Sequence, residues 1–340
     1  MQQREAIVVI PEWLRISSLC VMGLVIASDL ILAYVRPHVP KLREAAIWIS
    51  FYVALALVFA LLLYITAGGN PSGQFIAGWL TEYSLSIDNL FVFVIIMSRF
   101  SVPRKRQQGV LLVGIIIALV LRGLFILLGV ALIDNFSWIF YIFGAFLLYT
   151  AVQQLFSNRD QTNDEESRVI RFLRRHIPIT QTYDGGHLTT VKDGRRMLTP
   201  ILVVFIAIGS TDLIFALDSI PAVFGITQDA FLVFAANVFA LMGLRQLYFL
   251  LGHLIDRLAY LTYGVTAILL FIAVKLVFHA MHENDVVFLN DGKPIDWAPE
   301  FGTLTSLAVI VLALVLSVGA SLIKLQVDRT RGGKDTPDAV

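Results

Sequence analysis

The stretch GVLLVGIIIALVLRGLFILLGVALI, residues 109–133, decides the fold class. At about 1.5 Å per helical residue it is long enough to cross the roughly 30 Å of hydrocarbon in a bilayer, and Arg122 is its one charged residue. Similar apolar runs recur along the chain. The sequence therefore predicts an all-α polytopic membrane protein with about nine transmembrane helices, at 16–35, 47–67, 74–97, 109–133, 137–156, 199–224, 233–252, 261–281 and 303–324.

The composition supports a single transmembrane domain over residues 1–324. Hydrophobic residues make up 57% of the chain and charged residues 15%, and the mean hydropathy is +0.78. One soluble core could not hide so much apolar surface, so we expect the lipid bilayer to cover it. A net charge of +1 gives no indication of a nucleic-acid partner. With Cys20 as its one cysteine, the chain cannot form an internal disulfide or a Cys-x-x-Cys redox pair.

The distribution of basic residues predicts the orientation. Of the 26 Lys and Arg residues, about 20 fall in the connections after predicted helices 1, 3, 5, 7 and 9. The positive-inside rule then places the N-terminus outside and the C-terminus in the cytoplasm of a bacterial inner or plasma membrane. The long connection at 157–198 is predicted to be a cytoplasmic loop with a basic amphipathic piece at 168–176. Residues 325–340 are predicted to be a disordered cytoplasmic tail.

Eight charged side chains lie inside the predicted spans, away from their end residues. Each costs about 2.5–3.5 kcal/mol at the centre of a membrane helix, so each needs a partner or a function. Five acids and three bases leave a net charge of −2, which one bound divalent cation would neutralise. The eight are Asp29, Glu82, Asp88, Asp212, Asp218, Arg122, Arg245 and Lys275.

The acids of predicted helices 3 and 6 follow the same pattern. Residues 82–90 read E-YSLSI-D-N-L and residues 212–220 read D-LIFAL-D-S-I, which is acid, five residues, acid, polar, aliphatic. The assigned topology makes these two helices run in opposite directions. The pattern therefore favours an inverted repeat centred on helices 3 and 6, with an ion site near the bilayer midplane, although a match this short could also arise by chance.

Helix geometry limits how these groups could meet. Acids six residues apart differ by about 120° around a regular helix, so Asp212 and Asp218 could not point to one place. Pro221 cannot donate a hydrogen bond to the Leu217 carbonyl, and we expect helix 6 to kink or break there. An unwound turn at 217–221 would aim backbone carbonyls at the site.

Carboxylates, an amide, hydroxyls and carbonyls form an all-oxygen ligand set. Such a set suits hard cations such as Mg²⁺, Ca²⁺ and Mn²⁺, and the residue types do not choose among the three. The competing interpretation is that the acids pair with Arg122 and Arg245 as contacts between helices.

Two longer stretches resemble the TerC family of integral membrane proteins, which includes the Alx branch. They are SLSIDNLFVFVIIMSRF at 84–100 and STDLIFALDSIPAVFGITQDAFLVFAANVFALMGLRQLYFL at 210–250. The resemblance implies a nine-span member of the wider LysE-like transporter group, whose members are tied to manganese export, metal homeostasis and tellurite resistance. It also implies an ion path through Glu82, Asp88, Asn89, Asp212 and Asp218.

The resemblance also bears on the residues around that path. Asn237 and Arg245 look like family positions, and we interpret Arg245 as a counter-ion. Many members carry Glu where this chain has Gly209, which puts the coordination number in doubt. The predicted metal ligands are Glu82, Asp88, Asn89, Asp212, Asp218 and Ser219. The predicted supporting residues are Ser86, Arg122, Pro221, Asn237 and Arg245.

Together these features predict a secondary transporter that exports a divalent cation, with Mn²⁺ as the best candidate and proton exchange as a hypothesis. The alternative is a membrane biogenesis or metal-delivery factor that supplies exported proteins without transporting ions by itself. We expect no enzymatic activity, because no nucleophile has an adjacent base and no Walker A motif is present. We expect no permanently bound cofactor and no nucleic-acid partner.

A second group of polar residues lies at the outer end of predicted helix 8. It contains His279, His282, Glu283 and Asp285, and it leads into the acidic connection before the last span. This group is either an external surface that collects or releases metal ions or a solvated acidic loop.

Overall fold

A computed structural model describes residues 10–35, 40–100, 102–136, 138–156, 189–192, 195–251, 260–284, 286, 289–295 and 297–332. The helices in these ranges are α1 (Glu12–Val35), α2 (Leu42–Ala67), α3 (Gly69–Arg99), α4 (Arg104–Asn135), α5 (Ile139–Phe156), α6 (Pro200–Phe224), α7 (Ala230–Leu241), α8 (Leu244–Leu251), α9 (Leu261–His282) and α10 (Thr303–Gly332). Two short strands, β1 (Thr189–Lys192) and β2 (Arg195–Leu198), precede α6.

The described ranges contain nine segments that are long and apolar enough to cross a membrane. The predicted fold class, an all-α polytopic membrane protein, is confirmed. Helices α1 to α6 provide one segment each, α7 and α8 share the seventh, and α9 and α10 provide the last two. The inverted repeat stays a prediction.

Burial separates central from peripheral helices. The seventh span is the most enclosed, with 83% of its most apolar window buried, whereas the figure for α1 is 11%. Large apolar side chains such as Leu24 of α1 and Leu127 of α4 are more than 60% exposed, as expected where lipid covers them. Helix α3 contacts α2, α6, α7, α8 and α10, while α4 packs along α6 and α5 along α9. This arrangement encloses the polar residues of α3, α4 and α6.

The seventh span is broken in the middle. Helix α7 ends at Leu241 and α8 begins at Leu244, with Met242 and Gly243 between them. Gly243 has φ +84°, a left-handed conformation that favours glycine, and a Cβ there would lie 3.0 Å from Cδ2 of Tyr52. No sequence pattern predicts this break.

The predicted unwound turn at 217–221 is wrong, because α6 is α-helical from Pro200 to Phe224 with Pro221 inside it. A proline removes one amide donor, but its φ is compatible with a helix. Pro221 also lies in the last turn of α6, and its carbonyl accepts a hydrogen bond from the amide of Gly225, the residue that caps the helix. The loss of one hydrogen bond therefore does not interrupt α6.

The connection at 157–198 ends in a β-hairpin that leads into α6. Strands β1 and β2 are antiparallel, with Thr189 opposite Leu198 and Lys192 opposite Arg195. The basic piece predicted at 168–176 lies outside the described residues. Helix α10 continues to Gly332, so the tail predicted to be disordered from residue 325 is helical up to that point. Residues 325–331 contain neither proline nor glycine, so nothing in this stretch stops the helix before Gly332.

Candidate functional site

Three charged side chains meet in the interior of the bundle. Glu82 of α3 and Arg122 of α4 are each 1% exposed, and Asp212 of α6 is 2% exposed. Charges buried so deeply inside membrane-spanning helices require partners. Their position makes the α3–α4–α6 interface the candidate site.

Arg122 joins the two acids. Its Nη1 donates to Oε2 of Glu82 at 2.5 Å, and its Nη2 lies 3.7 Å from Oδ1 of Asp212. The guanidinium of α4 therefore links α3 to α6. Only the first of these contacts is short enough to be a hydrogen bond, so Asp212 is less fully compensated than Glu82.

Asn89 completes the link between α3 and α6. It lies seven residues after Glu82, about two helical turns, and so shares a face with it. Its Nδ2 donates to Oδ1 of Asp212 at 3.3 Å. We refer to Glu82, Asn89, Arg122 and Asp212 as the central cluster.

Several buried polar atoms in and around the central cluster have no hydrogen-bond partner within the described part of the chain. The unpartnered oxygens are Oδ2 of Asp212, Oδ1 of Asn89, Oγ of Ser86 and Oγ of Ser219. Nε of Arg122 and Nδ2 of Asn237 are unpartnered donors. An unsatisfied buried group costs about 1–3 kcal/mol, so a concentration of them indicates a function or bound water. The oxygens fit a hard cation.

Asp218 lies on another side of α6. It lies six positions after Asp212, and a continuous helix keeps the two about 120° apart. Ala222, one turn after Asp218, packs in an apolar cluster with residues of α3, α5, α9 and α10, whereas Ala216, one turn after Asp212, packs with Ile126 of α4. Oδ1 of Asp218 is nevertheless buried and unpartnered among the described residues.

The remaining predicted ligand is Asp88. Its backbone lies in α3, and its side chain is outside the described residues. Among the side chains that the structure does describe, no three His, Cys, Asp or Glu residues converge as they would around a firmly held metal ion.

Arg245 pairs with a different acid from those of the central cluster. Its Nη2 donates to Oδ1 of Asp29 at 2.8 Å. Tyr52 and Gln246 donate to the same oxygen, at 3.0 and 3.3 Å. Sequence reasoning found both charged members of this group but not Tyr52 or Gln246, whose types alone give no signal inside a span.

Asn237 and Pro221 are both buried. Asn237 lies on α7 directly after Ala236, and Ala236 contacts α3 at Gly78. Ser86 lies one turn after Glu82 on α3, and Ser219 lies two turns after Asp212 on α6. Each predicted supporting residue except Arg245 thus belongs to the helices that surround the central cluster.

The chain is similar to several known membrane proteins. It is 46% identical over 297 residues to "Uncharacterized membrane protein Rv2723" of Mycobacterium tuberculosis (strain H37Rv), and the aligned residues make up 86% of this chain and 75% of that protein. It is 40% identical over 299 residues to "Uncharacterized membrane protein STKORF319" of Myxococcus xanthus, covering 88% of each. It is 40% identical over 266 residues to "Putative membrane-bound redox modulator Alx" of Escherichia coli K12, covering 76% and 83%.

The nine apolar spans and these relatives define the class, an integral membrane protein that buries charged side chains among its helices. The family model for the integral membrane protein TerC family matches residues 67–329. The chain belongs to the TerC family. No solved structure matches it.

Proposed function

We propose that this protein transports a divalent metal cation through the central cluster, with Mn²⁺ as the best candidate. The observation that supports the proposal most strongly is a set of buried oxygens on Asp212, Asn89 and Ser219 that have no partner among the described residues. Asp212 and Asn89 lie beside the Glu82–Arg122 pair. A chain that only needed to hold its helices together would gain stability by satisfying or removing these atoms.

The ion-pair interpretation accounts for part of the charge. Glu82 pairs with Arg122 and Asp29 pairs with Arg245, so these two acids act as contacts between helices. The same interpretation does not satisfy Oδ2 of Asp212 or Oδ1 of Asp218 within the described residues. Among the described side chains, the unpartnered carboxylate oxygens therefore lie on α6, where a passing cation would be bound.

The chemistry of the substrate follows from the oxygen ligands. Carboxylate, amide and hydroxyl oxygens favour hard divalent cations over Zn²⁺ or Cu⁺. This ligand set does not distinguish Mn²⁺ from Ca²⁺ or Mg²⁺, and the resemblance to manganese exporters favours Mn²⁺. Asp218 would enter the coordination sphere in another conformation, since α6 holds it away from Asp212 in this one, and Asp88 stays a predicted ligand.

In the proposed cycle the cation enters from the cytoplasm, the two halves of the inverted repeat rock, and the cation leaves on the other side. The emptied site would return with protons on its carboxylates, which would make transport an exchange for H⁺. The basic connections on the predicted cytoplasmic side support the assigned orientation.

The Escherichia coli relative is named for a redox role, which suggests a second candidate function. This chain has one cysteine, so it cannot cycle between a dithiol and an internal disulfide. If a redox role extends to this protein, an indirect effect through the cell's metal content agrees better with its sequence.

Reconstitution into proteoliposomes tests the proposal. We expect Mn²⁺ to enter or leave vesicles that contain only this protein, and Asp212→Asn to abolish the flux without preventing folding. The matched control is Glu12→Gln, a change at the end of α1 far along the chain from the central cluster. A metal-delivery factor would give folded protein and no Mn²⁺ flux in the wild type, which would refute the transport proposal.

A further inference from the structure

A large cavity opens at one end of the bundle, outside the central cluster. It has a volume of about 610 Å³ and lies between the end of α6, the start of α7, the end of α9 and the start of α10. Its polar lining includes Gln74, Thr227, Gln228, Lys275, His279 and His282. The topology predicted from the basic residues places this end of the bundle outside the cytoplasm.

The cavity and the central cluster lie on one stripe of α3. Gln74 lines the cavity, Glu82 belongs to the central cluster, and Gly78 lies halfway between them at helical spacing i, i+4, i+8. The distance from Gln74 to Glu82 along the axis is about 12 Å. Gly78 therefore lies one helical turn from the cavity and one helical turn from the buried charges.

A tight apolar layer occupies this separation. A Cβ at Gly78 would lie 3.4 Å from Cβ of Ala236 and 3.4 Å from Cγ1 of Val223, so α3, α7 and α6 are in van der Waals contact there. Ala236 and Val223 are each 0% exposed. A dry constriction of this kind excludes a hydrated ion. We refer to Gly78, Val223 and Ala236 as the apolar layer.

We propose that the cavity is the extracytoplasmic vestibule of the cation path and that the apolar layer is its closed gate. This inference rests on the proposed transport function. Immediately above the layer, Oγ1 of Thr227 donates to Oε1 of Gln74 at 2.9 Å and ties the α6–α7 connection to α3. Opening the gate would separate these same elements, so the hydrogen bond latches the closed form.

The charges of the vestibule suit passage rather than storage. Lys275 donates from Nζ to Oγ of Ser306 at 2.9 Å, so a positive side chain forms part of the wall. Nε2 of His282 lies 3.7 Å from Oε1 of Glu300, which is 81% exposed. Asp229 and Glu300 line the same cavity, so carboxylates offset the positive charge of its wall, and the exposed histidine and carboxylate at the rim offer a cation only weak contacts on its way out.

Thiol labelling tests the vestibule without requiring transport. In a Cys20→Ser background, Gln228→Cys places a thiol in the vestibule and Ser219→Cys places one beyond the apolar layer. A membrane-impermeant reagent added outside should modify position 228 as readily as an exposed control, Trp297→Cys, and should leave position 219 unmodified. Protection of position 228, or its modification from the cytoplasmic side alone, would overturn the vestibule.

A reversible crosslink tests the gate. The separation at Gly78 and Ala236 is close to the roughly 3.5–4.5 Å between the Cβ atoms of a disulfide. In the same background, Gly78→Cys with Ala236→Cys should form a disulfide on oxidation, confirmed by mass spectrometry. Mn²⁺ flux should then stop and return on reduction, whereas each single cysteine variant should be insensitive to the oxidant.

Failure of the gate proposal and failure of the transport proposal can be told apart. Flux that continues through the crosslinked protein would overturn the gate and leave the transport function intact. Absence of Mn²⁺ flux in the wild type would refute the proposed function, and the labelling pattern at positions 228 and 219 would still decide whether the cavity is an external vestibule.

Discussion

Nη2 of Arg245 lies 2.8 Å from Oδ1 of Asp29, which fixes the first helix to the seventh span just after its break. A second ion pair, between Arg15 and Asp229 at 2.8 Å, fixes the other end of α1 to the start of α7. Asp229 also caps α7 by accepting hydrogen bonds from the amides of Phe231 and Leu232. Helix α1, although peripheral, is therefore attached to both halves of the broken span.

We expect Asp29→Asn to lower the stability of the protein by about 3 kcal/mol, because it leaves Arg245 charged and partly buried. The side chains of the pair are 11% and 18% exposed, whereas those of Arg15 and Asp229 are 38% and 29% exposed. Arg15→Gln should therefore cost less, about 1 kcal/mol or below. Thermal unfolding in detergent measures both, and equal losses would contradict the assignment of the inner pair as the main attachment.

Gly243→Ala should destabilise the protein for two reasons. The left-handed conformation costs a residue with a Cβ about 1–2 kcal/mol, and the new Cβ would lie 3.0 Å from Cδ2 of Tyr52. Gly68 offers a comparison without a steric clash, since it has φ +86° and ψ −178° and no heavy atom within 4 Å of the added Cβ. We expect Gly68→Ala to lower the unfolding temperature through its conformational cost alone, because this extended conformation with positive φ is tolerated essentially by glycine only. An unfolding temperature of Gly243→Ala equal to that of the wild type would contradict both the conformational cost and the contact with Tyr52.

The sequence predicted the nine spans because hydrocarbon requires long apolar helices, and it marked the acids of α3 and α6 because charge inside a span is costly. It could not assign partners. Arg122 and Arg245 look equivalent as isolated basic residues in apolar runs, yet the first lies against Glu82 and the second against Asp29. Which acid each arginine meets depends on how helices far apart in sequence pack together.

The position of the broken helix was also mispredicted from local signals. Pro221 is the stronger helix breaker by residue type, but it lies in the last turn of α6, where the loss of one donor is tolerated. Gly243 is a weaker signal, since a glycine inside a membrane helix is common. Its left-handed conformation next to the Tyr52 ring is set by tertiary packing, which the sequence does not display.

We expect Ser219→Ala to leave stability unchanged or slightly higher while reducing Mn²⁺ flux about tenfold. Oγ of Ser219 is buried without a partner in the described part of the chain, so a purely structural protein would not lose stability by its removal. Flux in proteoliposomes and thermal unfolding should be measured on the same preparation. Unchanged flux would remove Ser219 from the proposed ion path, and a large loss of stability would assign it a structural role.

Removal of the positive charge of Arg122 should lower the stability of the protein, unlike removal of the Ser219 hydroxyl. Arg122→Met leaves Glu82 and Asp212 buried together without their shared partner, and we expect it to cost about 3–5 kcal/mol of stability. Adding Glu82→Gln should recover part of this loss, since it removes one of the two buried charges that Arg122→Met leaves without a partner. If the double variant were no more stable than Arg122→Met alone, the Glu82–Arg122 pair would not be the main electrostatic contact between α3 and α4.

Binding of the substrate can be measured separately from its transport. A ligand that binds only the folded protein stabilises it by about 2.7 kcal/mol at 100 times its dissociation constant, so Mn²⁺ should raise the unfolding temperature of the wild type in detergent. Asp212→Asn should abolish this increase, because it removes the negative charge of a carboxylate whose Oδ2 is buried and has no partner within the described residues. Asp29→Asn is the matched control: the same chemical change at the α1 contact should lower the starting temperature but preserve the response to Mn²⁺. Chelation of Mn²⁺ should reverse the increase in the wild type. A response that survives in Asp212→Asn and disappears in Asp29→Asn would place the cation at the α1 contact rather than in the central cluster.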